Sequence, residues 1–179
     1  MIDLSTKSYK RAAFIVILLR IISPLFVWVN LFVMPLLFRV LDAFDYGFIF
    51  NSKIMGKRSY QNVDKILDLY YLAVLFIVSI YWRNPILIVL FLYRLIGFLI
   101  FFLIRKRIVF VFFMNSFELM FNIYAFGYVY NEDFLNLINE NIVLVLILVH
   151  MIVLIPELYL HYFEGDSLFF RTKILKKKV

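Results

Sequence analysis

PILIVLFLYRLIGFLIFFLI, the stretch Pro85–Ile104, carries one charged residue, Arg94, in 20 positions. A helix of that length rises about 30 Å, the thickness of a bilayer's hydrocarbon core. Outward on the amino side, beyond the short link Arg83-Asn84, lies a second apolar run, Asp64–Trp82. On the carboxyl side, beyond Arg105-Lys106-Arg107, lie Ile108–Tyr130 and then Ile142–Phe163. Hydrophobic residues make up 65% of the 179 and charged residues 17%, whereas a soluble chain carries roughly 45–50% and about 25%. A globule of this size has no interior for that surplus, so lipid must cover it. The 22 Phe and 12 Tyr fit, since Tyr favours the headgroup zone.

The amino-terminal run Ala12–Leu41 is longer than one crossing, with Pro24 and Pro35 as kinks and Asn30 between them. It lacks a small-residue cleavage site, which marks it as retained rather than as a signal peptide. It reads as one long helix or as two short ones folded at Asn30, and charge favours the second. Basic residues stay cytoplasmic. They cluster at Lys7, Lys10 and Arg11, at Lys53, Lys57, Arg58 and Lys65, at Arg105–Arg107, and at Arg171, Lys173 and Lys176–Lys178. The loop Asn131–Asn141 has Glu132, Asp133 and Glu140 but no Lys or Arg. Keeping every basic cluster inside requires an even number of crossings before Asn51. The spans 12–29, 31–47, 64–82, 85–104, 108–130 and 142–163 satisfy this, the first two at about 26 Å each. The expectation is a single all-α integral membrane domain over residues 1–179, with six transmembrane helices and both termini cytoplasmic. Fifteen of the 19 basic residues then lie inside, Arg83 lies outside, and Arg20, Arg39 and Arg94 fall within spans. Five spans are the alternative if the first pair does not fold back.

Seven Asp occur in the chain, and four sit at one membrane edge: Asp42 and Asp45 at the end of one apolar run, Asp64 and Asp68 at the start of the next. Spacings of three and four put each pair on one helix face. Two adjacent antiparallel helices would aim four carboxylates at one point. Carboxylates so close repel, and a divalent cation is the natural compensation; all-oxygen ligands suit Mg²⁺, Mn²⁺ or Ca²⁺. The competing view is of interfacial caps. The helix dipole favours Asp64 at a helix start but disfavours Asp42 and Asp45 near a helix end.

The spacing resembles the CDP-alcohol phosphatidyltransferases, six-helix membrane enzymes with the pattern D-x2-D-G-x2-A-R-x8–9-G-x3-D-x3-D. Here it reads Asp42-Ala-Phe-Asp45-Tyr-Gly-Phe-Ile-Phe, continuing to Tyr60-Gln-Asn-Val-Asp64-Lys-Ile-Leu-Asp68. All four Asp fall at the family's offsets. Upstream, Leu19-Arg20-Ile-Ile-Ser-Pro24 is similar to the family's first-helix Arg-x3-Pro signature. The departures are Tyr46 for the first Gly, with Gly47 one place late, Ile49-Phe50 for Ala-Arg, and Tyr60 for the second Gly. The resemblance implies Asp42, Asp45 and Asp64 as principal ligands of a two-metal Mg²⁺ or Mn²⁺ site. It implies Asp68 as a further ligand and as the general base that deprotonates an acceptor hydroxyl. The substrate would be a lipid in the membrane, with a CDP-linked donor, in phospholipid synthesis. Localisation would be the cell (inner) membrane with the site facing the cytoplasm, and a homodimer is in keeping with the family.

Five basic residues are candidates for substrate binding: Lys53, Lys57 and Arg58 as phosphate contacts in place of the missing motif Arg, Arg94 as a phosphate ligand in the substrate cavity, and Arg39. Arg39, three residues before Asp42, could bind a lipid phosphate, neutralise the acidic cluster or snorkel to the headgroups. Arg94 and Glu118 lie twelve residues either side of Lys106, so a buried ion pair between them competes with that role. His150 and Glu157, two turns apart, could form a polar stripe, or His150 could be a hydrogen-bonded packing residue. The chain has no Cys, no P-loop, no nucleotide-binding Gly fingerprint, no GxSxG and no HExxH. The net charge of +7 reads as topology and as a headgroup-seeking tail, not as nucleic-acid binding. Two other functions stay open: a degenerate, non-catalytic relative, and a small transporter or scaffold with Arg94, Glu118, His150 and Glu157 lining a polar path.

Overall fold

The computed structural model describes residues 6–52 and 57–158, and the side chains of 6–10, 43–58, 60 and 61 lie outside that description. Every described element is helical: α1 (Thr6–Ile22), a 3₁₀ segment (Ser23–Val29), α2 (Val33–Ser52), α3 (Lys57–Tyr81), α4 (Pro85–Ile104), α5 (Val109–Phe112), α6 (Ser116–Tyr130), α7 (Glu132–Glu140) and α8 (Ile142–Leu158). The described residues fall into two compact units, one up to Tyr70 and the other from Tyr71 onward.

In the first unit, Pro24 at the head of the 3₁₀ segment removes a backbone donor, and the chain tightens from α-helix into 3₁₀ as far as Val29. Asn30 is then extended, and its Oδ1 accepts from the N–H groups of Phe32 and Val33 at 3.0 and 2.9 Å. That bond pattern starts α2 and folds it back on α1. Ala13, Val16, Val27 and Phe38 are buried between the arms of the hairpin, while Phe14, Leu25, Trp28 and Leu37 are exposed.

The second unit packs aromatic rings. Phe76 stacks on Phe91 at 4.1 Å, and Phe98 meets Phe110 edge-on at 5.2 Å. Tyr71, Leu75, Leu87, Phe117, Met120 and Phe121 are sealed inside, while Val89, Leu99, Leu103, Val143 and Ile155 face outward. An apolar core inside an apolar exterior is the pattern of a helix bundle made for lipid.

Among the described residues, two stretches are long and apolar enough to cross a membrane: Arg11–Val29, of 19 residues, and Pro85–Ile104, of 20. A third is available if α7 and α8, bent by 92° at Asn141, count as one span. α2 and α3 are of spanning length, at 20 and 25 residues. Each carries three charges within its apolar run, Arg39, Asp42 and Asp45 in one and Asp64, Lys65 and Asp68 in the other.

Three features differ from the sequence expectation. α2 runs on to Ser52 and α3 starts at Lys57, so Asp42, Asp45 and Asp64 lie within helices and not at their tips, where the helix dipole would act on them. The run 108–130 is not one helix: it breaks between Phe112 and Ser116. Phe113 packs against Gly97, where an added Cβ would come within 2.4 Å of the Phe113 Cβ. The carbonyls freed by the break accept from the chain itself, Phe112 from the Tyr93 hydroxyl and Phe113 from Arg94. Irregular backbone in an apolar bundle needs that replacement. The loop 131–141 holds a helix, α7, started by Asn131, whose side chain accepts from Phe134 N–H.

Candidate functional site: an acidic cluster around Arg20

α2 and α3 bring Asp42, Asp64 and Asp68 together, with one carboxylate oxygen from each lying within 4.8 Å of the others. The hairpin at Asn30 sets Arg20 on α1 beside Asp42 on α2. The four-residue spacing on α3 turns Asp64 and Asp68 to the same side. Asp45 lies on α2 with its side chain outside the described residues.

Arg20 sits among these carboxylates. Its side chain is 0% exposed, and Nη2 lies 2.7 Å from both Asp42 Oδ1 and Asp68 Oδ1, while Nη1 is 3.1 Å from Asp64 Oδ1. Lys65 closes the other side, its Nζ 2.9 Å from Asp64 Oδ2 and 2.6 Å from Asp68 Oδ2. The guanidinium also stands 5.4 Å from the centre of the Phe38 ring. A rigid fork of donors suits this position because it can meet several carboxylates at once, which an ammonium on a flexible stem does less well. Three carboxylates against two cations leave a formal charge of −1 on the five side chains.

This changes the electrostatic argument. The Asp spacing alone calls for a divalent ion as compensation, yet the chain supplies two cations of its own. Neither Arg20 nor Lys65 is among the site residues that the sequence singles out. The available signal was Arg20 itself, a charge stranded in an apolar run and therefore in need of an anion.

The donor set nevertheless fits one hard divalent ion. Three oxygens from three carboxylates within 4.8 Å match the spread of a Mg²⁺, Mn²⁺ or Ca²⁺ coordination sphere. Each carboxylate also offers more lone pairs than its bonds to Arg20 and Lys65 use. Asp42 is the accessible ligand, with 45% of its side chain exposed. Asp64 and Asp68 bond to Arg20 and Lys65 through both oxygens, so a cation there competes with ion pairs already made.

The remaining candidates divide. Arg39 is exposed on α2, three residues before Asp42. Lys53 lies outside the described residues, as do the side chains of Lys57 and Arg58. Arg94 belongs to the second unit, where it is buried and pairs with Glu157, Nη1 to Oε1 at 3.3 Å. Its guanidinium stands 4.5 Å from the Phe110 ring centre and 5.3 Å from that of Phe98. The ion pair is therefore with Glu157 on α8, not with Glu118. Glu118 accepts from the Tyr71 hydroxyl at 3.3 Å and from Asn115 Nδ2 at 2.7 Å. The break before α6 explains the change, because it upsets the symmetric register about Lys106 that would have matched Arg94 with Glu118. His150 Nδ1 lies 2.9 Å from the Leu146 carbonyl of its own helix, an ordinary packing bond.

No protein-family model, curated protein or solved structure matches this chain.

Proposed function

We propose that the chain is a metal-dependent membrane phosphotransferase resembling the CDP-alcohol phosphatidyltransferases, crossing the membrane six times with both termini cytoplasmic. The observation that carries this reading is the convergence of Asp42, from the middle of α2, with Asp64 and Asp68 of α3, one carboxylate oxygen of each within 4.8 Å of the others. The spacing of those residues matches the family's acidic motif, and the basic clusters give the orientation.

Mg²⁺ or Mn²⁺ bound by Asp42, Asp64 and Asp68, with Asp45 as a further candidate, would supply Lewis-acid polarisation of a phosphoryl group. Asp68 takes the proton of an acceptor hydroxyl, the role of a positioned carboxylate base. Lys65 touches both Asp64 and Asp68, which fixes the orientation of the Asp68 carboxylate for that proton. The Arg20 guanidinium, beside these carboxylates, would offer its fork of donors to a phosphate oxygen. The lipid substrate enters from the bilayer, and the CDP-linked donor from the cytoplasmic face. Bulky Tyr46 and Tyr60 stand where the family has Gly, so the donor's nucleotide would be held differently.

A second reading rests on a specific observation. Arg20 already occupies the centre of the cluster, which favours a degenerate relative whose carboxylates serve as counter-ions and hold three helices together. One experiment separates the two. Purified protein is supplied with CDP-diacylglycerol, Mg²⁺ or Mn²⁺ and a panel of alcohols, and CMP release is measured. The phosphotransferase reading expects metal-dependent CMP release that Asp68→Asn abolishes. No release with any alcohol, in protein that stays folded, selects the counter-ion reading.

A further inference from the structure

α7 is amphipathic in a way that points to an interface. Phe134, Leu135, Leu137 and Ile138 fall on one side of the helix, and Glu132, Asp133, Asn136, Asn139 and Glu140 on the other. One edge of the apolar side is taken by protein. Leu135 packs on Gly127 of α6, where a Cβ would come within 3.0 Å of the Leu135 Cβ and 3.3 Å of its Cα. Ile138 is buried, and Phe134 meets Phe126 edge-on at 5.2 Å. The Tyr124 hydroxyl donates to Asn139 Oδ1 at 2.9 Å. The other edge is open, with Leu137 56% exposed.

The helix turns by 92° into α8, whose outward face is wholly apolar through Val143, Leu144, Ile147, Leu148 and Met151. If α8 runs along the membrane normal, α7 runs along the membrane plane. An aromatic cluster stands at the same end of the unit. Trp82 stacks on Tyr128 at 4.5 Å and on Phe121 at 5.1 Å, and Tyr81 and Tyr130 are exposed. Trp and Tyr gather where hydrocarbon meets headgroups. α4 begins at this end, at Asn84, and reaches Arg105 after 20 residues, or about 30 Å. The basic cluster Arg105–Arg107 thus lies one bilayer thickness away from α7.

We infer that α7 lies in the headgroup–acyl boundary of the non-cytoplasmic leaflet, with Leu137 and the open edge of its apolar side in lipid and its acidic side in water. Most interfacial helices use Lys and Arg to seek anionic lipid. α7 has three carboxylates and no cation, so an anionic cytoplasmic surface would repel it. Packing on Gly127 holds it in place instead. The inference rests on the membrane reading above and not on phosphotransfer.

The test uses the absence of native Cys. Spin labels are placed on the full-length chain at Leu137→Cys, Asp133→Cys and Ile147→Cys, in nanodiscs of phosphatidylcholine and phosphatidylglycerol. Depth is read from the ratio of collision with oxygen to collision with a nickel chelate. The expected order is Asp133 in water, Leu137 just below the phosphates and Ile147 deep in hydrocarbon. In right-side-out vesicles, a membrane-impermeant maleimide should modify Asp133→Cys from the non-cytoplasmic side. A Leu137 label as wet as Asp133, labels at both positions as deep as Ile147, or modification of residue 133 from the cytoplasmic side alone would each overturn the proposal. An Ile147 label in water would overturn the membrane reading beneath it as well. If the Cys variant at 137 fails to fold, Leu137→Trp takes its place. Its fluorescence should be quenched by lipids brominated near the headgroup and not by those brominated at the chain end, and the reverse pattern would overturn the proposal.

Discussion

Arg20 Nη2 lies 2.7 Å from Asp68 Oδ1, joining α1 to α3 across 48 residues of sequence. The same nitrogen is 2.7 Å from Asp42 Oδ1, so one buried guanidinium ties three helices. Taking one partner from a buried ion pair strands the other charge, which costs more than the pair itself is worth. Arg20→Met should therefore lower stability by about 3–5 kcal/mol, read as a large fall in the midpoint of thermal unfolding in detergent. Arg20→Lys should recover only part of it, because a single ammonium cannot reach all three carboxylates as the fork does.

Neutralising the acids has the opposite sense in that background. In the Arg20→Met chain the three carboxylates face Lys65 alone among the described side chains, so Asp42→Asn should restore part of the lost stability by removing repulsion. A double-mutant cycle over Arg20 and Asp42 measures the coupling directly. A coupling near zero would mean that the 2.7 Å contact contributes nothing, as exposed pairs often do.

Added divalent cation should repair the same defect. With Arg20 gone, a cation has less competition for the cluster, so Mn²⁺ should raise the unfolding midpoint of Arg20→Met more than that of the parent chain, by ligand linkage. Equal shifts in the two chains would place the bound cation elsewhere.

Much of this arrangement is legible along the chain and some is not. Apolar runs bounded by charge mark the helices, because crossing a bilayer is a local requirement of length and composition. The turn at Asn30 is legible as well, since a polar residue between two apolar runs has a local use, here capping α2. The Asp spacing discloses the faces of α2 and α3. What composition does not disclose is the partner. Arg20 meets Asp64 and Asp68 only through tertiary packing, and no periodicity links residues more than forty positions apart. The break before α6 is hidden for the same reason: Phe113 leaves the helix to pack on Gly97 and give its carbonyl to Arg94, both on another helix. α7 is masked by its own acidic side, which gives residues 131–141 the composition of a loop.

Gly97 and the break can be probed together. A methyl at residue 97 would meet the Phe113 Cβ at 2.4 Å, a position fixed by the backbone and not the far end of a flexible side chain. Gly97→Ala should therefore cost about 1–3 kcal/mol, as overpacking usually does. Gly97→Leu should disrupt the α4–α6 packing and lower the yield of folded protein. A Gly97→Ala chain as stable as the parent would show that Phe113 is free to move.

The ion pair of the second unit makes a separate prediction. Arg94→Met leaves Glu157 without its guanidinium and the Phe113 carbonyl without its donor, and should destabilise the chain strongly. Glu157→Gln keeps the shape and a hydrogen-bonding acceptor, so its effect should be smaller. Thermal unfolding of both variants checks the order, and the reverse order would assign the main role to the carboxylate.

The most direct measurement is Mn²⁺ binding to the purified full-length chain, followed by electron paramagnetic resonance as free Mn²⁺ is titrated. The account predicts saturable binding that Mg²⁺ displaces and that Asp64→Asn or Asp68→Asn abolishes in protein that remains folded. No saturable binding, or binding untouched by both substitutions, would contradict a metal site at Asp42, Asp64 and Asp68 and leave Arg20 and Lys65 to balance the cluster.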